Sequence, residues 1–179
     1  MLNEYTLPAL LAHSVQMYGN RPALAFVDGE SFTYTEVADQ VRQLSMFLRS
    51  KGLRRGDRIA ILSESMPNWG IAYFAITSMG CIAVPVLPEF HGSEIAHILR
   101  HAQVSALFVS ERLFDKWTEA DVHPNTVILI NNFSLVPYHK QKARLKQLIQ
   151  SGSGRFFRRN AFPREEIPCS IFRLLTSLA

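Results

Sequence analysis

The sequence predicts an α/β protein: a parallel β-sheet flanked by helices, with a β-hairpin near the amino terminus. Three observations lead there. Short apolar runs begin near residues 59, 82, 105 and 127, at spacings close to 22 residues. Helix-like patterns fill the gaps between them. The runs lack polar alternation, as strands covered on both faces do, and strand alternating with helix is the pattern of parallel, right-handed crossovers.

The elements follow in order. "YTLPALLAHSVQMYG" opens a helix, with Thr6 as N-cap, Pro8 in the first turn and Gly19 as the stop. Leu10, Leu11, Val15 and Tyr18 recur on it at helical spacing. "PALAFV", "DGE" and "SFTY" read as strand, tight turn and returning strand. Thr33 and Glu36 then stand at capping-box spacing, and Val37, Val41, Leu44 and Leu48 form an apolar stripe that ends before Gly52.

The stretch from residue 68 to residue 87, "NWGIAYFAITSMGCIAVPVL", carries no charge and is about as long as a bilayer span. A spanning helix would have to run through Gly80 and Pro85, and proline inside a helix costs about 3 kcal/mol. A helix over residues 68–79, a reversal at Gly80 and a buried strand "CIAVPV" explain the same residues without that cost. Further on, Ser93 is expected to cap "SEIAHILRHA". "SALFVS" reads as a strand, "ERLFDKWTEA" as a helix and "TVILIN" as another strand.

After Asn131 the periodicity fades. "HKQKARLKQLIQ" has the pattern of a basic amphipathic helix, and "SGSG" is linker-like. The chain therefore divides into an α/β unit, residues 1–131, and a basic, loosely ordered extension, residues 132–179. Charge divides the same way. Residues 1–131 hold ten Lys and Arg against thirteen Asp and Glu, net −3; residues 132–179 hold nine against two, net +7. The high pI belongs to the extension, whose charge is read as solvation and not as a nucleic-acid contact. Limited proteolysis is expected to trim that extension first.

Composition is that of a globular chain, 47% hydrophobic and 19% charged. Met1 is followed by Leu2, Asn3 and the acid Glu4 and not by a signal-peptide pattern, and Cys81 and Cys169 lie far apart. A reducing, cytoplasmic setting is expected.

Two long segments carry a resemblance. "FTYTEVADQVRQLSMFLRSKGLRRGDRIAIL" resembles the first core segment of the AMP-forming acyl-CoA synthetases, in the adenylate-forming superfamily. Gly52, Gly56 and Asp57 stand at the family's positions, and Val37 replaces its usual leucine. "SESMPNWGIAYFAITSMGCIAVPVLPEFHGSEIAHILRHAQVSALFVS" resembles the second, through Pro67, Trp69, Gly80, Val84 and Pro85. The start of its helix is most similar to long-chain fatty-acid–CoA ligases. The match, over residues 5–131, implies the amino-terminal subdomain of the adenylate-forming fold. It also implies a two-step reaction: a fatty acid and Mg2+-bound ATP give an acyl adenylate, and coenzyme A then displaces AMP.

That chemistry needs a cradle for phosphates and a cation on the transferred charge. The family's cradle is a Thr/Ser/Gly-rich loop ending in lysine, and its later lysine-bearing domain completes the site. Neither stands in these 179 residues. "LLTSLA" approaches the loop, but Leu178 occupies the place of a glycine, where a side chain blocks backbone approach to phosphate. The expectation is an amino-terminal fragment of a long-chain fatty-acid–CoA ligase, inactive alone. No catalytic residue is assigned, and neither ATP, Mg2+ nor coenzyme A is expected to bind this chain tightly. The alternative is a non-catalytic binding or scaffold module of the same fold. Truncation is expected to expose apolar surface and favour self-association.

Other candidates are few. "LPEFHG" follows the carboxyl end of a strand, where parallel sheets hold ligands. Some members of the family use this loop near coenzyme A, so the resemblance makes Phe90, His91 and Gly92 the ligand-contact candidates. Arg54, Arg55 and Arg58 cluster at a turn and read as solvated rim charges. His97 and His101, four apart with His91 upstream, have no carboxylate or cysteine completing a metal set. Cys81 has no adjoining base and reads as a small buried residue. Trp69 and Phe74 read as core.

Overall fold

The computed structural model describes residues 4–27 and 29–136. Its centre is a five-stranded sheet built from β3 (Arg58–Leu62), β4 (Ile82–Val86), β5 (Ala106–Val109), β6 (Thr126–Leu129) and β7 (Ser134–Leu135). Their order is β4-β3-β5-β6-β7; the first four are parallel and β7 returns antiparallel on β6. A separate antiparallel hairpin, β1 (Pro22–Ala25) and β2 (Ser31–Thr33), precedes it. The α/β class, the parallel core and the hairpin are as the sequence predicts.

Successive strand residues point to opposite faces, which explains the unbroken apolar runs. Ile59, Ile61, Ala106, Phe108 and Ile128 enter one core. The helices α2 (Tyr34–Ser50) and α3 (Pro67–Ser78) complete it. Ala60, Leu62, Leu107, Val109, Val127 and Leu129 enter the other, under α4 (Gly92–His101) and α5 (Phe114–Glu119). Both faces are dry, so no polar alternation is left to see.

The uncharged stretch resolves as the helix α3, a reversal at Gly80 and the strand β4, which is an edge strand with only Val86 buried and not the buried strand expected. Gly80 has φ +71°, a conformation side chains disfavour, and its neighbour Met79 donates back to Ala75 and Ile76. No helix among the described residues is long and apolar enough to cross a membrane. Pro85 sits well because β4 is an edge strand. The Ile82 N–H donates to Asp57 O on the β3 side, so Pro85, three residues on, directs its missing donor outward.

Four expectations need correction. Ser93 does not cap α4: the helix starts at Gly92, His91 is the N-cap, and the His91 N–H donates to Glu94 Oε2 at 2.8 Å. A glutamate three residues downstream decides the cap, and Ser93 has none. The helix read over residues 111–120 splits into a 3-10 turn, Glu111–Leu113, and α5.

On α1 (Leu7–Tyr18), the Thr6 hydroxyl accepts from the Ala9 N–H as expected, yet only Leu11 of the apolar stripe is buried. Leu10 is 44% and Tyr18 43% exposed, since no element among the described residues covers the outer side of this helix. Finally, the sheet continues past Asn131 through β7, with Phe133 and Val136 buried. A two-residue strand has no periodicity to detect. The remainder of the extension, residues 137–179, lies outside the described residues, as does the proteolysis expectation attached to it.

Candidate functional site

In parallel sheets ligands gather at the carboxyl ends of the strands, where the strand order reverses. Here the chain leaves β3 outward to β4 and returns across it to β5, so the reversal lies between β3 and β5. The residues that follow these strands build a polar network. Ser110, fully buried, donates its hydroxyl to Glu64 Oε2 at 2.6 Å and accepts from the Leu113 N–H at 3.3 Å. Asn131 Oδ1 accepts from the Glu111 N–H at 2.9 Å. Asn68, 1% exposed, donates through Nδ2 to Ile130 O at 2.7 Å and Asn131 O at 3.0 Å. Its Oδ1 is buried without a partner.

Sequence reasoning missed Glu64, Asn68, Ser110 and Asn131. The available signal was positional: polar residues directly after apolar strands. Their contacts join the loops after β3, β5 and β6. The one charged member is a carboxylate, which repels phosphate, and the Ser110 hydroxyl beside it is fully buried. The network can fix loop geometry; it does not fit a triphosphate or its Mg2+, so no phosphoryl step is derived through it.

The β4–α4 loop is the second feature. Its turn is closed by the Phe90 N–H donating to Leu87 O at 3.2 Å, and Lys116 Nζ on α5 donates to Pro88 O at 2.6 Å. Phe90, Ser93, Glu94, His97 and Ile98 line an open concavity of about 370 Å³. Of the three predicted contacts, Phe90 alone lines it. His91 caps α4 from an exposed position. Gly92 serves packing: a Cβ there would stand 3.1 Å from the Glu119 Cβ and 3.5 Å from the Ala120 nitrogen.

The remaining candidates are dispersed. His97 and His101 stack with ring centroids 5.9 Å apart. No three His, Cys, Asp or Glu side chains among the described residues could share a metal ion. Cys81 is buried and donates to Arg54 O at 3.1 Å. Burial chiefly, then the Asp57 charge, pushes its thiol up, against a smaller opposite effect of Arg49. Such a thiol is a poor nucleophile. Arg54, Arg55 and Arg58 lie at the amino ends of the strands, opposite the network. Trp69 and Phe74 are half-buried against the first core, with Trp69 stacked on Tyr73 at 5.2 Å.

Comparison with known proteins decides the family. A family model described as AMP-binding enzyme matches residues 11–167. The chain belongs to the AMP-binding enzyme family. That match runs past Asn131 and well into the basic extension.

Among curated relatives, a long-chain-fatty-acid–CoA ligase of Bacillus subtilis is 31% identical over 115 residues, covering 64% of this chain and 20% of that protein. A crotonobetaine/carnitine–CoA ligase of Salmonella paratyphi C is 28% identical over 124 residues, covering 67% and 24%. The chain thus spans about a fifth to a quarter of these relatives' length. The N-terminal subdomain of Klebsiella oxytoca NpsA superposes with a TM-score of 0.61 at 26% identity, covering 72% of this chain and 32% of that one. A benzoate CoA ligase from Burkholderia xenovorans reaches 0.67 at 19% identity, covering 78% and 30%, a likeness of fold alone. The AMP-binding family member described here therefore has the fold of an adenylating enzyme's amino-terminal subdomain.

Proposed function

We propose that this chain is the amino-terminal α/β portion of an acid–CoA ligase that activates a long-chain fatty acid. The acid would first form an acyl adenylate from ATP, and coenzyme A would then displace AMP. The observation that supports the reading is the 31% identity over 115 residues to the Bacillus subtilis fatty-acid–CoA ligase. The crotonobetaine ligases support the thioester step while leaving the acid open.

Within this reading the domain is a wall of the site and not its reactive centre. The network of Glu64, Asn68, Ser110 and Asn131 would hold the loops after β3, β5 and β6 in place. Coenzyme A would approach the β4–α4 loop, where Phe90 and Ile98 offer an apolar wall for its uncharged arm and His97 a polar partner. His91 and Gly92 would shape that loop without facing the concavity.

The test is thioester formation by the polypeptide that carries this sequence, with palmitate, crotonobetaine and anthranilate offered in parallel. Palmitate-dependent AMP release that requires coenzyme A is expected. Preference for either other acid overturns the substrate. AMP release without any thioester overturns the reaction class.

A further inference from the structure

Half of the basic residues in the −3 body fall within ten consecutive positions. Arg49, Lys51, Arg54, Arg55 and Arg58 stand there with one acid, Asp57; the rest of residues 1–131 holds five cations and twelve acids. The structure gathers this segment at one end of the sheet. Arg49 ends α2, Arg54 and Arg55 flank the turn before β3, and the Arg55 Cγ lies 3.0 Å from where a Gly80 Cβ would be. Arg58 pairs in register with Ile82 of the edge strand. All four arginines are exposed, and none forms an ion pair with a carboxylate among the described residues. Asp57 is occupied in its own turn, accepting the Arg54 N–H at 2.7 Å.

Compensation of helix dipoles accounts for part of this charge. The carboxyl ends of α2, α3 and α4 meet here, each equivalent to about −0.5 charge. Against three such ends, the four arginines less Asp57 leave about +1.5 unmatched. The patch is also at the wrong end for a substrate, because ligands of parallel sheets bind at the strands' carboxyl ends. Its four arginines are exposed, as a broad partner requires. Arginine dominates lysine four to one, the preference for phosphate oxygens. Ile82, 49% exposed, stands among the arginines. A cationic rim around an apolar side chain fits headgroup phosphates above acyl chains. Among the described residues it offers nucleic acid no helix amino terminus, and the one ring beside it, Phe47, is half-buried under Lys51 Nζ at 5.1 Å.

We infer that the surface formed by Arg49, Arg54, Arg55 and Arg58 around Ile82 docks on an anionic phospholipid membrane. The acids that follow the strands' carboxyl ends, Glu64, Glu89 and Glu111, do not oppose this. A five-residue strand spans about 16 Å, beyond the screening length of about 10 Å at 0.1 M salt.

Flotation of the 179-residue chain with vesicles of phosphatidylcholine containing about 30% phosphatidylglycerol, against phosphatidylcholine alone, tests the inference at ~0.1 M salt. Binding should require the anionic lipid. Each neutralised cation should weaken it about 5-fold, so Arg54→Gln/Arg55→Gln/Arg58→Gln loses on the order of 100-fold. The corresponding triple lysine variant should stay within a few-fold. Arg54→Gln/Arg58→Gln, which leaves Arg55 against Gly80, should lose about 25-fold and shows the effect if the triple variant lacks a thermal unfolding transition. Arg155→Gln/Arg158→Gln/Arg159→Gln separates the patch from the basic extension and should bind like the parent. Loss carried by that last variant, glutamine variants that bind unchanged, or retention of duplex DNA without vesicle binding would each overturn the inference.

Discussion

Ser110 gives its hydroxyl hydrogen to the Glu64 carboxylate across 2.6 Å, joining loops that are 46 residues apart in the chain. The bond sits where the strand order reverses. Ser110 is fully buried, so truncating it leaves the buried Leu113 N–H without its acceptor and the half-buried Glu64 carboxylate without its donor. Ser110→Ala should lower stability by about 1–3 kcal/mol, read as a shift of the denaturant midpoint at constant slope. An unshifted midpoint would mean that water replaces the hydroxyl and the loops are held otherwise.

Asn68 joins α3 to the end of β6 by donating to two carbonyls. An aspartate there has no donor and sets a charge against those oxygens. Asn68→Asp should therefore cost about 3–5 kcal/mol at neutral pH, more than Asn68→Ala. Acid should narrow the gap by neutralising the carboxyl. Equal stabilities of the two variants at pH 7 would contradict the reading.

Two glycines should respond with opposite sign. Gly70 lies inside α3, and an added Cβ would meet only Leu24 Cδ1 at 3.5 Å, an ordinary contact. Gly70→Ala should stabilise by about 0.5–1 kcal/mol through helix propensity. Gly80, at φ +71° against the Arg55 stem, should lose about 1–2 kcal/mol as alanine. Thermal unfolding of both variants reads the pair, and a common sign would refute the assignment of the helix end.

Cys81 should be inert. Its thiol is raised chiefly by burial, so the fold disfavours the thiolate. Alkylation by iodoacetamide at pH 8 should be slower for Cys81 in the folded chain than in urea. The linked stability is fully present below the ordinary thiol value and declines as pH rises through the raised one. Equal alkylation rates in the two states would show an open thiol.

Local signals made much of this fold legible. Thr33 and Glu36 form the expected capping box, with the Thr33 N–H donating to Glu36 Oε2 at 2.9 Å. Gly80 and Pro85 divided an apolar stretch correctly into helix and strand, although the strand expected to be buried lies at the sheet edge. Nearest-neighbour chemistry sufficed in those places. It failed where distant chain decides the outcome. Leu10 and Tyr18 have helical spacing, but whether they are buried depends on what covers α1. The bonds of Asn68 and Ser110 span 62 and 46 residues, and no local pattern encodes them. Glu94 outbid Ser93 for the start of α4 by a spacing rule that was readable and misapplied.

The central claim is that this domain frames an adenylating site whose phosphate chemistry lies outside these residues. Removing a single transition-state donor typically costs about 10²–10³ in rate, and no glycine-rich run ending in lysine stands among these 179 residues. ATP–pyrophosphate exchange by the purified 179-residue chain, with palmitate and Mg2+, tests the claim directly. The account predicts no palmitate-dependent exchange above a protein-free control. Exchange that survives further purification and disappears on mutating Glu64 or Ser110 would contradict it and place the reactive centre at the β3–β5 edge.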